Sequence, residues 1–209
     1  MKIRAILTAC LMVVSLGSSA QVHLPDSLLS VNKAYTYFFT SPDTAQAILQ
    51  TVRERKLEAE SLIDYAEGDL NFNMRQCLKA LPYFEKVKNN PAVRDSNFVQ
   101  MLVLKRMMEC YDAIYDEDNM IETTLQLRKK AHAIGNKAFE AMTYFMSGKW
   151  HHRNGQKEIG YSSCLEAVEE MKESDYPFKH VELRVFYLEL LKMYTRDDRF
   201  DDALRMSQL

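Results

Sequence analysis

Two histidines stand side by side at residues 151 and 152, with Trp150 before them and Arg153 after. Imidazoles hold a metal when they converge on one point. Neighbours on a helix instead point about 100° apart, and no carboxylate or cysteine lies at helical spacing to add a third ligand. The acidic group Asp112, Asp116, Glu117 and Asp118 lacks the glycine and the alternating ligand order of a calcium-binding loop. It reads as a solvated turn whose charges favour the start of a helix. The chain has six glycines, and none forms a phosphate-cradling loop or a nucleophile elbow; no HExxH pattern occurs either. Neither enzymatic activity nor a bound cofactor or metal is expected.

The first twenty residues read as a signal peptide. Lys2 and Arg4 give a positive start, Ala5 to Leu16 is a short apolar run, and Ser18-Ser19-Ala20 supplies small residues before a cleavage at Gln21. Leu7-Thr8-Ala9-Cys10 resembles a lipobox, but cleavage there would leave almost no apolar stretch before the cysteine. The chain is therefore expected to be exported to the periplasm or cell envelope. Of 27 basic and 29 acidic residues, cleavage removes two basic ones, so the mature charge is about −4. That balance argues against a nucleic-acid surface. No later segment approaches the ~20 apolar residues of a membrane span.

Cys77, Cys110 and Cys164 would remain after cleavage. An odd count cannot pair completely, and there is no CxxC. The three read as small apolar residues on helices, with a Cys77–Cys110 pairing left open.

Helical periodicity runs throughout, with no strand-like alternation. It predicts a first helix over 28–40 and a second starting at Ser41-Pro42-Asp43, with serine as cap and proline in the first turn. Ser61 to Asp64 resembles a capping box opening a third. A fourth carries Ala80 to Phe84 with Pro82 in its first turn, where a missing N–H costs nothing, and ends at Asn89-Asn90-Pro91. A fifth starts at Asp95 or Ser96. Residues 116–119 read as a turn, followed by helices over 121–134, 138–153, 158–173 and 181–194, and one from Phe200 onward. Ten helices with short connections make about five antiparallel hairpins in an all-α array.

The hairpins share a spacing. Tyr187, Leu190, Leu191, Tyr194, Phe200 and Ala203 form one copy; Tyr144, Ser147, Gly148, His151, Gly160, Cys164 and Ala167 form another. Gly68, Ala80, Phe84, Val87 and Pro91 fit a third, Leu104, Met107, Met108 and Tyr111 a fourth, and Ala34, Tyr37, Ala45 and Leu49 a degenerate first. Copies begin near residues 26, 61, 101, 141 and 184, the last one incomplete. This pattern resembles the tetratricopeptide repeat, whose usual period is ~34 residues. The resemblance implies a right-handed α-solenoid over residues 21–209 whose first helices line a concave face. Cys164 then sits at a core position, not at a nucleophile's.

The same resemblance implies a protein or peptide partner bound on that face. It would present Tyr65, Asp69 and Phe72, then Lys105, Glu109 and Asp112, then Phe145, Lys149 and His152, then Leu188, Lys192 and Arg196. Lys149, Arg153, Lys192 and Arg196 form a basic set suited to an acidic peptide or carboxylate. An export signal before slightly over-long repeats is similar to the periplasmic sensory regions of some Bacteroidetes signalling proteins. The expected function is an exported interaction module with a sensory or scaffolding role in signalling; the alternative is an accessory protein of envelope assembly or nutrient uptake.

Overall fold

The structure, a computed structural model, describes residues 25–207. The signal segment expected at residues 1–20 lies outside the described residues. Among those described, ten α-helices and a 3-10 turn account for the regular structure, and no strand is present. The helices are α1 (Val31–Tyr37), α2 (Pro42–Glu54), α3 (Glu60–Asn73), α4 (Cys77–Asn89) and α5 (Asn97–Ala113). They continue as α6 (Glu117–Ile134), α7 (Lys137–Arg153), α8 (Lys157–Glu173), α9 (Lys179–Arg196) and α10 (Phe200–Ser207).

Local chemistry sets most of the boundaries, and it moves several of the expected ones. Ser30 accepts a hydrogen bond from the Lys33 amide, so α1 starts at Val31, after the 3-10 turn at Asp26–Leu28. Pro42 opens α2 as expected, although the Ser41 hydroxyl bonds Thr44 Oγ1 at 2.7 Å and not a backbone amide. The capping box at Ser61–Asp64 does not form. Helix α3 begins at Glu60 without a side-chain cap, and Asp64 turns to Arg53 on α2. Pro82 lies in the second turn of α4, because that helix begins at Cys77. It thus removes an interior hydrogen bond, one whose acceptor belongs to the exposed Leu78. Residues 117–119 are not a separate turn. Asp116 accepts from the Asn119 amide and caps α6, which starts four residues earlier than its apolar periodicity suggested. Ser96 caps α5 and Asn136 caps α7 in the same way.

Each pair α1–α2, α3–α4, α5–α6, α7–α8 and α9–α10 packs as a hairpin, and each hairpin packs on the next. First helices also touch one another directly, α1 on α3, α3 on α5, α5 on α7 and α7 on α9. This is an α-solenoid-like architecture, with the first-helix layer on the tighter side. Its core is spread along the array in three clusters, one on α1–α3, one centred on α4 and α5, and one running from α5 to α10. Four hairpin turns carry a residue with left-handed backbone, Arg75, Tyr115, Gly155 and Asp198, at intervals of 40, 40 and 43 residues. This is the conformation that closes a helix C-terminus.

Within hairpins, helices cross at small residues. A Cβ added to Gly148 on α7 would lie 2.8 Å from the Gly160 carbonyl oxygen and 2.6 Å from Cys164 Sγ on α8. A Cβ on Gly160 would meet the Gly148 oxygen at 2.8 Å and His152 Cβ at 2.7 Å. In the α3–α4 hairpin the Phe84 ring fills the space beside Gly68, 2.6 Å from where its Cβ would be, and Ala80 is fully buried. Gly148→Ala is therefore expected to cost about 2 kcal/mol, because the Gly160 carbonyl and the Cys164 backbone, besides the Cys164 sulfur, block the methyl group. Gly155→Ala meets open space and should cost about 1 kcal/mol, through its positive φ alone. Ala80→Asp buries a charge between two helices and should cost more than either. Urea denaturation of the three variants checks the order.

Candidate functional site

Helices α3, α5, α7 and α9 form the walls and floor of a groove on the first-helix face. Its floor is sulfur-rich and aromatic: Met142, Phe145 and Met146 from α7, Met108 from α5, Phe72 from α3, and Phe186 from α9. Phe145 and Phe186 stack in parallel with ring centroids 4.0 Å apart. The central cavity measures about 200 Å³ and continues, through shared Asp112, Lys149 and Glu189, into a second of about 170 Å³ at the helix C-termini. Methionine suits such a floor because its unbranched, polarisable chain adapts to different shapes.

Charged side chains line the groove, and most of them are paired. At one end Lys105 on α5 donates to Glu109 at 3.1 Å and to Glu182 on α9 at 2.9 Å. That second bond spans the groove, skipping α7. Burial pushes the Lys105 ammonium down, but Glu109 and Glu182 outweigh it and hold it above its ordinary value. Arg106 pairs with Asp69 on α3 at 2.7 Å and with Glu109 at 2.9 Å, and its guanidinium lies over the Phe72 ring. Asp69 also accepts from the Tyr35 hydroxyl of α1 at 3.1 Å. Burial nevertheless raises the Asp69 carboxyl above its usual range, against the opposing pull of Arg106 and Tyr35.

The other end is richer in cations. Lys149 bonds Asp112 at 2.8 Å and Glu189 at 3.3 Å. Arg153 gives Nη1 to Asp112, while its Nε and Nη2 are buried without a hydrogen-bond partner among the described residues. The Tyr115 ring, from the strained α5–α6 turn, stands 5.8 Å from that guanidinium. Lys192 pairs with Glu189 at 2.5 Å, and Lys192 and Arg196 both face solvent along the cavity. Four cations thus meet two carboxylates here.

The structure brings Phe72, Lys105, Phe145, Lys149, His152, Lys192 and Arg196 onto the two joined cavities. Tyr65, Asp69 and Leu188 do not line them. Tyr65 packs edge-on against Phe84, with ring centroids 5.7 Å apart, and Asp69 is committed to Arg106 and Tyr35. His152 is buried, and its ring lies against Tyr161 of α8. Sequence reasoning missed Met108, Met142, Met146, Glu182, Val185 and Phe186. Twelve methionines in the chain were the available signal, but helix periodicity alone does not say which of them face a groove.

His152 belongs to a further cluster at the end of α9. Asp197 Oδ2 accepts from the Tyr161 hydroxyl at 3.0 Å and lies 2.9 Å from His152 Nε2, and Oδ1 accepts from Lys157 Nζ at 2.8 Å. A carboxylate only accepts, so Nε2 carries the proton. One side chain thereby ties the last hairpin to both helices of the one before it. Among the described residues, no three His, Cys, Asp or Glu side chains converge as metal ligands, and no helix is long and apolar enough to cross a membrane.

Fold and site together define a helical solenoid with a lined groove. Compared with known proteins, the chain matches no family model, no curated protein and no solved structure.

The Asp197 cluster makes stability sensitive to acid. Burial opposes the Asp197 charge, but hydrogen bonds from Lys157, His152 and Tyr161 outweigh it and hold the carboxyl down at about 2. The unfolded value is about 4. A depressed carboxyl contributes stability that is complete above about pH 4 and is lost as the pH falls through 2. Urea midpoints measured from pH 5 to pH 2 should drop more steeply for the native chain than for Asp197→Asn.

Proposed function

We propose that the chain is an exported tetratricopeptide-type interaction module that binds a peptide segment of a partner protein, as the sensory or scaffolding part of a signalling system. The observation that carries this reading is the groove, which pairs an adaptable Met and Phe floor with a cation-rich end holding unpartnered guanidinium donors. The crossings at Gly68 and at Gly148–Gly160 support the repeat assignment, since they lie at equivalent points of two hairpins. The 40-residue interval between turns exceeds the usual ~34, in line with five central helices of 17 or 18 residues each.

The partner segment is one with an apolar anchor followed by an acidic residue. The anchor displaces water from the Met and Phe floor, and the acidic group meets Arg153, Lys192 and Arg196. Such a segment wedges between α5 and α9, so the Lys105–Glu182 bond stretches and the bend of the array changes. That change of bend is the signal passed on. Binding, and not catalysis, is the activity.

Panning a random peptide display library against the full chain tests the proposal. Enriched sequences should combine large apolar residues with Asp or Glu, and their binding should weaken with salt. Arg196→Glu should weaken it roughly five- to tenfold without altering stability. Val185→Glu, which places a charge on an exposed position of the groove wall, should weaken it further. Peptides that bind the outer face beside Trp150, seen as hydrogen-exchange protection of α6, would overturn the groove assignment. Export is checked separately, by an N-terminus at Gln21 in the mature product.

A further inference from the structure

Cys77 is the first residue of α4 and Cys110 lies in the last turn of α5. These helices are joined by a short connection and run antiparallel, which brings the start of one beside the end of the other. Both side chains are buried in the same cluster, with Ala80, Phe84, Val103 and Met107 around them. The two share this one small cluster, and both thiols are free in this structure. The third cysteine, Cys164, sits apart on α8, where its thiol donates to the Phe145 carbonyl. Two of the three described cysteines therefore share one buried cluster across a boundary between hairpins.

We propose that Cys77 and Cys110 form a disulfide when the protein folds under oxidising conditions, clipping the second hairpin to the third. The pairing itself follows from the packing; its occurrence in the cell rests on the export reading above. The reaction is thiol–disulfide exchange with glutathione disulfide or the disulfide of an oxidase. One Cys thiolate attacks the oxidant's disulfide and releases a thiolate, giving a mixed disulfide. The second Cys thiolate then displaces the remaining oxidant sulfur. Two protein thiols become one disulfide, the oxidant's disulfide gains two electrons, and the two protons end on its thiols. Burial and the neighbouring Cys77 thiol push the Cys110 thiol up from its ordinary value. The exchange thus belongs to folding, before the α4–α5 interface closes, and the folded reduced protein resists it.

The full chain is unfolded under reducing conditions, then refolded with a mixture of reduced and oxidised glutathione and mapped by mass spectrometry after alkylation. A Cys77–Cys110 crosslinked peptide should dominate, with Cys164 alkylated only after unfolding. The oxidised protein should melt on the order of 5–10 °C above the same sample reduced with a phosphine, as expected for a loop of this size. Cys77→Ala and Cys110→Ala should show no difference between the two conditions. All thiols free after refolding, or a dominant bridge to Cys10 or Cys164, would overturn the proposal. So would a Cys77–Cys110 bridge that lowers the melting temperature, because the bond would then be foreign to the folded packing.

Discussion

Packed helices ordinarily keep their axes 8–10 Å apart, because side chains must interleave between them. Where α7 crosses α8 there is no side chain to interleave: the Gly148 and Gly160 backbones approach until a single methyl group would collide with a carbonyl oxygen. Gly68 beneath the Phe84 ring applies the same constraint one hairpin pair earlier. This close approach fixes the geometry of these two hairpins, and the hairpins of the array stack through their first helices. The groove inherits its width from that stacking, since α5 and α9 stand near enough for Lys105 to reach Glu182. Remove the small residues and the groove spreads along with the core.

The order and approximate extent of the helices were legible because apolar spacing and turn residues agreed along most of the chain. Gly135, Pro91 and Ser96 marked their boundaries for reasons that the structure repeats. Two misplaced starts turn on which partner a polar side chain takes. Asp64 fits a capping box by spacing, yet Arg53 on the preceding helix offers it an ion pair at 2.6 Å. Asp116 looked like part of a solvated turn, yet it caps the helix that follows. The candidate binding face was legible only as a register of first helices. Which members of that register point into open groove depends on how tightly successive hairpins curve, and no single helix encodes it. Tyr65 and Asp69 thus proved to be committed to structure, while Met142 and Phe186 stood unnoticed on the floor.

Charge on this face works chiefly within the molecule. Asp69, Lys105, Arg106, Glu109 and Glu182 form one continuous set of ion pairs from α3 to α9. Burying such groups offers little net stability compared with apolar residues of the same shape, although losing one partner is costly. Their consequence is orientation, since the Asp69–Arg106 and Lys105–Glu182 pairs are satisfied only when the hairpins that carry them keep one angle. The cation-rich end differs because Arg153 retains donors that none of the described residues uses.

The Lys105–Glu182 bond also changes how the array should come apart. A solenoid whose repeats touch only their neighbours behaves as a one-dimensional chain, which can fray from an end one hairpin at a time. A bond from α5 to α9 bypasses the hairpin between them, and Asp197 ties the last hairpin to both helices of that middle one. Loss of the terminal hairpin therefore strips a buried lysine two hairpins away of a partner. The stretch from α5 to α10 is thereby coupled into one cooperative unfolding unit.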